Sequence, residues 1–226
     1  MPIIGNTNLK EFFMNNMRYR MKSKSLFSLL AIITIFLFSG CSKSPNHVAI
    51  GKQVWMGINL DVDHYRNGDP IPEVKDAGKW ASLKTGAWCY YKNDSKNGEW
   101  YGKLYNWYAV NDPRGLAPEG WHIPTEKEFE ALNTAVNGNS NALKAIGQGT
   151  GSGAGINTSG FSALLTGIRN YDGNFIGLGG KPYHWSFTEG DANTAYYLYM
   201  NNNNSNIISG SAAMKEYGFG VRCVKD

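Results

Sequence analysis

The residue types that could bind a metal ion or act as nucleophiles are few in this sequence and widely separated. The histidines show no pair at a metal-ligand spacing; they are His47, His64, His122 and His184. Glu189 and Asp191 form the best group of carboxylates, but their spacing is that of an ordinary polar loop, so they are weak candidates for metal ligands. No Gly-x-Ser-x-Gly elbow and no phosphate-binding loop occurs. We therefore predict no metal site, no catalytic residue and no cofactor.

Cys41 is the residue with the clearest predicted chemistry. It follows Ser39 and Gly40 at the end of an apolar run, residues 26–38, and lysines stand just before that run. A basic segment, an apolar stretch and small residues before a cleavage point are typical of a secretory signal peptide. The run is also shorter than the ~20 residues of a membrane-spanning helix. The cysteine after the small residues resembles the lipobox of bacterial lipoproteins, where it is acylated and becomes the mature N-terminus.

This interpretation divides the chain into three segments. Residues 1–40 are an N-terminal extension and lipoprotein signal peptide, 41–47 a lipid-anchored tether and 48–226 a single domain. The true start codon stays open between Met1, Met17 and Met21.

The basic charge of the chain belongs to the predicted signal segment. The formal net charge is +4, and the first 40 residues account for it, because Glu11 is their sole acidic residue against five basic ones, Lys10, Arg18, Arg20, Lys22 and Lys24. The remaining chain is neutral by composition. Since nucleic-acid binding needs a basic patch on the folded domain, we predict no nucleic-acid partner.

The domain is predicted to be a loop-rich α+β fold with one clear helix. Thr125 and Glu128 form a capping box, apolar residues recur on one face after it, and Gly138 is a C-terminal stop. The pattern therefore predicts a helix over residues 126–137. Capping and solvation also account for the glutamates at its start, although paired carboxylates for glycoside hydrolysis need only proximity in space and stay open.

Short antiparallel strands are predicted around this helix. Alternating and aromatic-rich runs indicate strands at 50–56, 88–91, 161–169, 183–188, 195–200 and 219–224. Tight turns are predicted at 93–98, which contains the Asn97-Gly98 pair, and at 171–174. Aromatic residues make up 13% of the chain, which is too many for a disordered protein.

Cys89 and Cys223 remain as a pair once Cys41 is lipidated. An exported protein reaches an oxidising compartment, where such a pair can form a disulfide. We predict this bridge, with two buried free thiols as the alternative, because spacing along the chain does not reveal the distance between the Cα atoms.

Several separated motifs occur in a fixed order along the predicted domain. They are Gln53-Val54-Trp55-Met56 with Asn59-Leu60, residues 102–110, residues 120–129, residues 159–163, Trp185-Ser186 with Thr188-Glu189, and residues 218–226. In these motifs the chain resembles the Fibrobacter succinogenes major paralogous domain family from about Val48 to Asp226. The resemblance implies a C-type-lectin-like fold related to the formylglycine-generating enzyme and to surface-exposed binding domains. It implies no established activity.

Function is predicted as binding rather than catalysis. The first hypothesis is an envelope lipoprotein, on the periplasmic or surface face of the outer membrane, whose domain binds a glycan or a partner protein. Exposed aromatic side chains would provide the surface, and the candidates are Trp100, Tyr101, Trp107 and Tyr108. The alternative is a structural or assembly lipoprotein without a small ligand. An oxidase like the formylglycine-generating enzyme is the remote third, since Cys89 and Cys223 lie in contexts unlike its reactive pair.

Overall fold

Short helices and short strands make up the part of the protein that its computed structural model describes, residues 47–226, and the last six strands follow one another without an α-helix between them. The helices are α1 (Ala77–Ala81), α2 (Ser95–Tyr101), α3 (Trp107–Val110) and α4 (Glu126–Ala135). The strands are β1 (His47–Ile50), β2 (Gln53–Met56), β3 (Trp88–Cys89), β4 (Leu104–Tyr105), β5 (Trp121–His122), β6 (Ile168–Arg169), β7 (Phe175–Ile176), β8 (Tyr183–Glu189), β9 (Thr194–Met200), β10 (Ile207–Met214) and β11 (Val224–Lys225). The mixture of helices and antiparallel sheets confirms the α+β class predicted from the sequence.

One sheet joins the two ends of the domain. Its strand order is β1-β2-β11-β5. A hairpin forms β1 and β2 because Gly51, with φ of 60°, allows the tight turn between them. In the last strand, Val224 lies between Trp55 of β2 and His122 of β5. Residues 47–226 therefore form one unit that is closed by its own first and last strands.

A second sheet of longer strands, ordered β10-β9-β8, carries an aromatic surface. In β8 and β9, Tyr183 pairs with Tyr199 and Trp185 pairs with Tyr197. Side chains two residues apart on a strand point to the same face, so this register gathers aromatic rings on one side of the sheet. Helix α4 packs against all three strands.

Helix α4 begins as its capping box predicts. The Thr125 hydroxyl accepts from the Glu128 amide, and the Glu128 carboxylate accepts from the Thr125 amide at 2.8 Å. The helix ends at Ala135, two residues before the predicted end, because Asn137 and Gly138 both have positive φ, 53° and 71°.

Cations without a carboxylate partner are buried in the core. Arg169 and Arg222 form no ion pair with any described residue, and at most 1% of either is exposed. The Arg169 guanidinium donates to three backbone carbonyls and stacks 4.4 Å from the ring of Trp80. Backbone oxygens and aromatic faces thus replace the carboxylates that a buried cation ordinarily needs.

The predicted disulfide between Cys89 and Cys223 is not formed. Both thiols are free and fully buried. Cys89 belongs to the core cluster around Trp80, whereas Cys223 belongs to a different cluster around Tyr105. Burial raises the pKa of each thiol to about 12, so both stay protonated and unreactive at neutral pH.

Candidate functional site

A partly exposed group of tyrosines covers one face of β8 and β9. We call it the tyrosine face and define it as Tyr171, Tyr183, Tyr197, Tyr199 and Tyr217. Four of its members are half-buried, and Tyr171 is 44% exposed. Amphipathic rings of this kind offer an apolar surface and a polar edge to the same ligand.

Continuous ring contacts hold the tyrosine face together. The ring of Tyr183 lies 5.3 Å from Tyr199 and 5.5 Å from Tyr197. At the other end, the Tyr171 and Tyr217 rings lie 5.5 Å apart. The buried ring of Phe219 joins the two parts, with centroids 5.0 Å from Tyr183 and 5.3 Å from Tyr217. The contacts fix the rings relative to one another, so the face is organised before any ligand arrives.

The tyrosine face presents hydroxyl groups, and those of Tyr183 and Tyr199 are available within the described residues. Burial raises the pKa of Tyr183 to about 12 and also raises the pKa values of Tyr197 and Tyr217. Each is therefore a phenol at neutral pH, able to donate and to accept one hydrogen bond. Within residues 47–226, side-chain hydrogen bonds engage the hydroxyls of Tyr105 and Tyr108 but not those of Tyr183 and Tyr199.

The four aromatic residues singled out in the sequence do not form a common surface. Trp100 is 71% exposed, at the end of α2. Trp107 is 2% exposed, and its indole nitrogen donates to the Ser186 carbonyl at 2.9 Å, so its prediction as a ligand contact is wrong. Tyr108 and Tyr101 are partly exposed, and the Tyr108 hydroxyl is already bonded to the Glu216 carboxylate.

Glu189 and Asp191 have structural partners. The Glu189 carboxylate pairs with the ammonium of Lys215. Asp191 accepts from the amides of Asn193 and Thr194 at 2.7 and 2.8 Å and so closes the turn between β8 and β9. In the described part of the chain, no group of three or more histidine, cysteine, aspartate or glutamate side chains could hold a metal ion.

His122 connects the C-terminal residue to helix α4 through hydrogen bonds. Its two ring nitrogens lie 2.7 Å from carboxylate oxygens of Glu128 and Asp226. Burial opposes the protonated form, but these hydrogen bonds outweigh burial and raise the pKa of His122. Because both nitrogens are occupied, the imidazole is not free to act as a general base in this arrangement.

A cavity of about 420 Å³ shares no residue with the tyrosine face. Its walls are mainly apolar and include Leu116, Ile123 and the exposed ring of Phe187. The Arg66 guanidinium at its edge already donates to the Ala117 carbonyl at 2.9 and 3.0 Å. The cavity therefore offers a mainly apolar enclosure, whereas the tyrosine face offers aromatic rings with hydroxyl groups beside them.

Sequence reasoning missed the tyrosine face because its members come from four separate segments. One local signal exists: Tyr197 and Tyr199 are two residues apart in a strand, which places both side chains on one face. The same pattern is equally typical of a buried strand. Distinguishing an exposed aromatic face from a buried strand requires two further facts: the pairing of β8 with β9, and the position of Phe219 below them.

Fold and surface together define a small α+β domain of short antiparallel strands, closed by its own ends and carrying an aromatic surface. The chain belongs to the Fibrobacter succinogenes major domain family, which it matches over residues 48–225. This confirms the family predicted from the motifs. No curated protein shows significant similarity to the chain. Among the described residues, none of the helices has the length and apolar character that crossing a membrane requires.

Proposed function

We propose that this protein is an envelope-anchored lipoprotein whose domain binds carbohydrate at the tyrosine face. The observation that carries the proposal is the contact between the rings of Tyr183, Tyr197 and Tyr199 on one partly exposed side of a sheet. Sugar rings present apolar C–H faces and polar hydroxyl edges. Such a ligand matches phenol rings that are fixed relative to one another, with the hydroxyls of Tyr183 and Tyr199 free of side-chain hydrogen bonds within the described residues.

Removing one ring from the tyrosine face tests the binding proposal. Residues 44–226, which contain every described strand and helix, serve as the soluble domain. We expect this domain to retain a polysaccharide in affinity electrophoresis across plant, host and bacterial glycans. Tyr199→Ala should weaken the binding about tenfold, because an aromatic contact contributes ~1.4 kcal/mol.

Tyr196→Ala is the matched control for this experiment. Tyr196 is the neighbour of Tyr197 on β9, and its side chain points to the opposite face of the sheet. Its replacement should leave the affinity unchanged. Failure to bind any glycan, or equal binding by the Tyr199→Ala domain, would contradict a carbohydrate site at this surface.

Lipid anchoring at Cys41 is the second part of the proposal. Cys41 lies outside the described residues, and the proposal rests on the sequence pattern around it. Acyl chains on the N-terminal cysteine would hold the domain at the envelope, on the periplasmic or surface face of the outer membrane. The C-type-lectin-like fold implied by the family resemblance belongs to the same proposal. Its support is the loop-rich arrangement of short antiparallel strands.

Metabolic labelling tests the anchor. Cells that express the full chain with labelled palmitate should incorporate label into the protein, and the Cys41→Ser variant should incorporate none. The variant should also leave the membrane fraction, because acyl chains supply its membrane affinity. Cys223→Ser is the control that keeps Cys41 and should remain labelled. Equal labelling of the Cys41→Ser chain would disprove acylation at this residue.

A further inference from the structure

A small cavity opens beside the tyrosine face. Its volume is about 200 Å³, and Tyr183, Lys181 and Asn202 line it together with glycines of the β7–β8 connection. The volume corresponds to several water molecules at about 30 Å³ each. It is below the roughly 300 Å³ at which pockets enclose a whole ligand. The cavity is therefore suited to one substituent or ring of a ligand that extends over the tyrosines.

Lys181 places an unpaired positive charge at this end of the tyrosine face. Its ammonium nitrogen lies 5.1 Å from the centroid of the Tyr199 ring. The lysines that form ion pairs within residues 47–226 are Lys75, Lys84, Lys103 and Lys215, so Lys181 is without a carboxylate partner there. Contact with an aromatic ring leaves most of the ammonium's hydrogen-bonding capacity unused.

The charges around the tyrosine face are arranged asymmetrically. Asp172 lies at the opposite end, where its carboxylate accepts a hydrogen bond from the Asn174 amide at 2.9 Å. Its negative charge contributes to the raised pKa of the neighbouring Tyr217. Asn202 lines the Lys181 cavity, and within the described residues its side-chain amide makes no hydrogen bond. An ammonium and an amide at one cavity are the donors that an anionic group requires.

We propose that this cavity binds the anionic group of an acidic sugar residue, whose ring lies on Tyr183 and Tyr199 while Lys181 pairs with its carboxylate or sulfate. The inference rests on the carbohydrate site proposed above and names its ligand class. The walls of the cavity are largely apolar, so an ion pair formed there is screened less than one on a fully open surface. Lys181 is the specificity-determining residue of this site.

Two matched pairs of polymers separate the charge from the sugar. Polygalacturonate and its methyl ester differ in the carboxylate, and dextran sulfate and dextran differ in the sulfate. Binding to the domain of residues 44–226 is measured by calorimetry at low and at physiological salt. We expect at least one charged polymer to bind about tenfold more tightly than its neutral partner, with the difference falling as salt rises.

Lys181→Gln removes the charge and keeps a polar side chain that is one atom shorter than lysine. It should abolish the tenfold preference for the charged polymer. Lys127→Gln is the matched control, because Lys127 is an exposed lysine on α4, which packs on the other face of the sheet.

Each outcome bears on the proposal. A preference for the carboxylated or for the sulfated polymer, lost in Lys181→Gln alone, supports it and identifies the anion. Equal binding of charged and neutral polymers, still weakened by Tyr199→Ala, overturns the acidic ligand and leaves the carbohydrate site standing. A preference that survives Lys181→Gln also overturns it. Absence of binding to all four polymers overturns the acidic ligand, and the wider glycan panel then decides the carbohydrate site.

Discussion

Asn59→Leu is expected to lower the free energy of unfolding of the domain by about 3–5 kcal/mol, because it leaves a buried cation without its main acceptor. The side-chain oxygen of Asn59 accepts from two nitrogens of Arg222, at 2.8 and 3.2 Å. Among the described residues the guanidinium has one other acceptor, the Phe161 carbonyl, and its carbon lies 4.3 Å from the Phe161 ring. Burial lowers the pKa of Arg222 to about 9, so the group is still charged at pH 7.

The neighbouring histidine uses the same acceptor. His184 is fully buried and lies 3.2 Å from the Asn59 oxygen. Burial, with the charge of Arg222, lowers the pKa of His184 to about 3, which keeps the imidazole neutral. Its other ring nitrogen has no partner among the described residues. The cluster therefore depends on one amide oxygen.

A double-mutant cycle isolates this interaction. Arg222→Met removes the charge and retains apolar contacts, so it should cost less than Asn59→Leu, and the double variant should recover part of the Asn59→Leu loss. Asn59 also donates a hydrogen bond to the Tyr101 carbonyl at 2.9 Å. Asn59→Leu removes this bond in the presence and in the absence of Arg222, so its contribution cancels in the double-mutant cycle. Urea unfolding followed by tryptophan fluorescence measures each variant. Simple additivity of the two substitutions would contradict the dependence of Arg222 on Asn59.

This cluster explains why motif residues were recognisable but not interpretable in the sequence. Asn59 and Arg222 belong to different motifs and are 163 residues apart. Other motif side chains have similar roles: Asn106 accepts from two amides in the core, and Trp185 donates to the Tyr105 carbonyl. Such contacts between distant segments identify a fold, because they satisfy its buried polar groups. They say little about what the surface binds.

Signals contained within a few residues were predicted well. The capping box of α4 depends on Thr125 and Glu128 alone. The turn at 171–174 joins β6 to β7 as predicted, whereas the strand predicted over residues 50–56 is interrupted by the turn at Gly51 and contributes the end of β1 and all of β2. Each is decided by local backbone conformation and short-range hydrogen bonds, which the sequence displays directly.

Tertiary packing overrode a local signal at Gly98. The Asn97-Gly98 pair predicts a hairpin turn, yet Gly98 lies inside α2. A Cβ atom there would lie 2.1 Å from the Tyr90 ring, so glycine is required for the close packing of helix and ring rather than for a turn. The disulfide prediction failed for a related reason. Cysteine count and compartment suggest a bridge, whereas the distance between Cys89 and Cys223 is decided by the packing of the whole chain.

Phe219→Ala is expected to lower the free energy of unfolding by about 3–5 kcal/mol, since it opens a cavity beneath the tyrosine face. Phe219 is 1% exposed, and its ring centroid lies 4.3 Å from that of Trp185. It also contacts Tyr183, Tyr197 and Tyr217, so one side chain supports most of the surface. The same urea unfolding experiment measures the loss.

Phe219→Leu separates support of the surface from stability of the fold. Leucine fills much of the cavity, so we expect a loss of about 1–1.5 kcal/mol, too small to unfold the domain. Phe129→Leu is the matched control: Phe129 is equally buried, stacks on Trp55 at 5.8 Å and belongs to a core cluster that contains none of the tyrosines. Both variants should lose similar stability, but Phe219→Leu alone should weaken glycan binding, because the rings of Tyr183 and Tyr217 lose the flat partner that orients them. Equal glycan affinity in the two variants would show that the tyrosines hold their positions without Phe219.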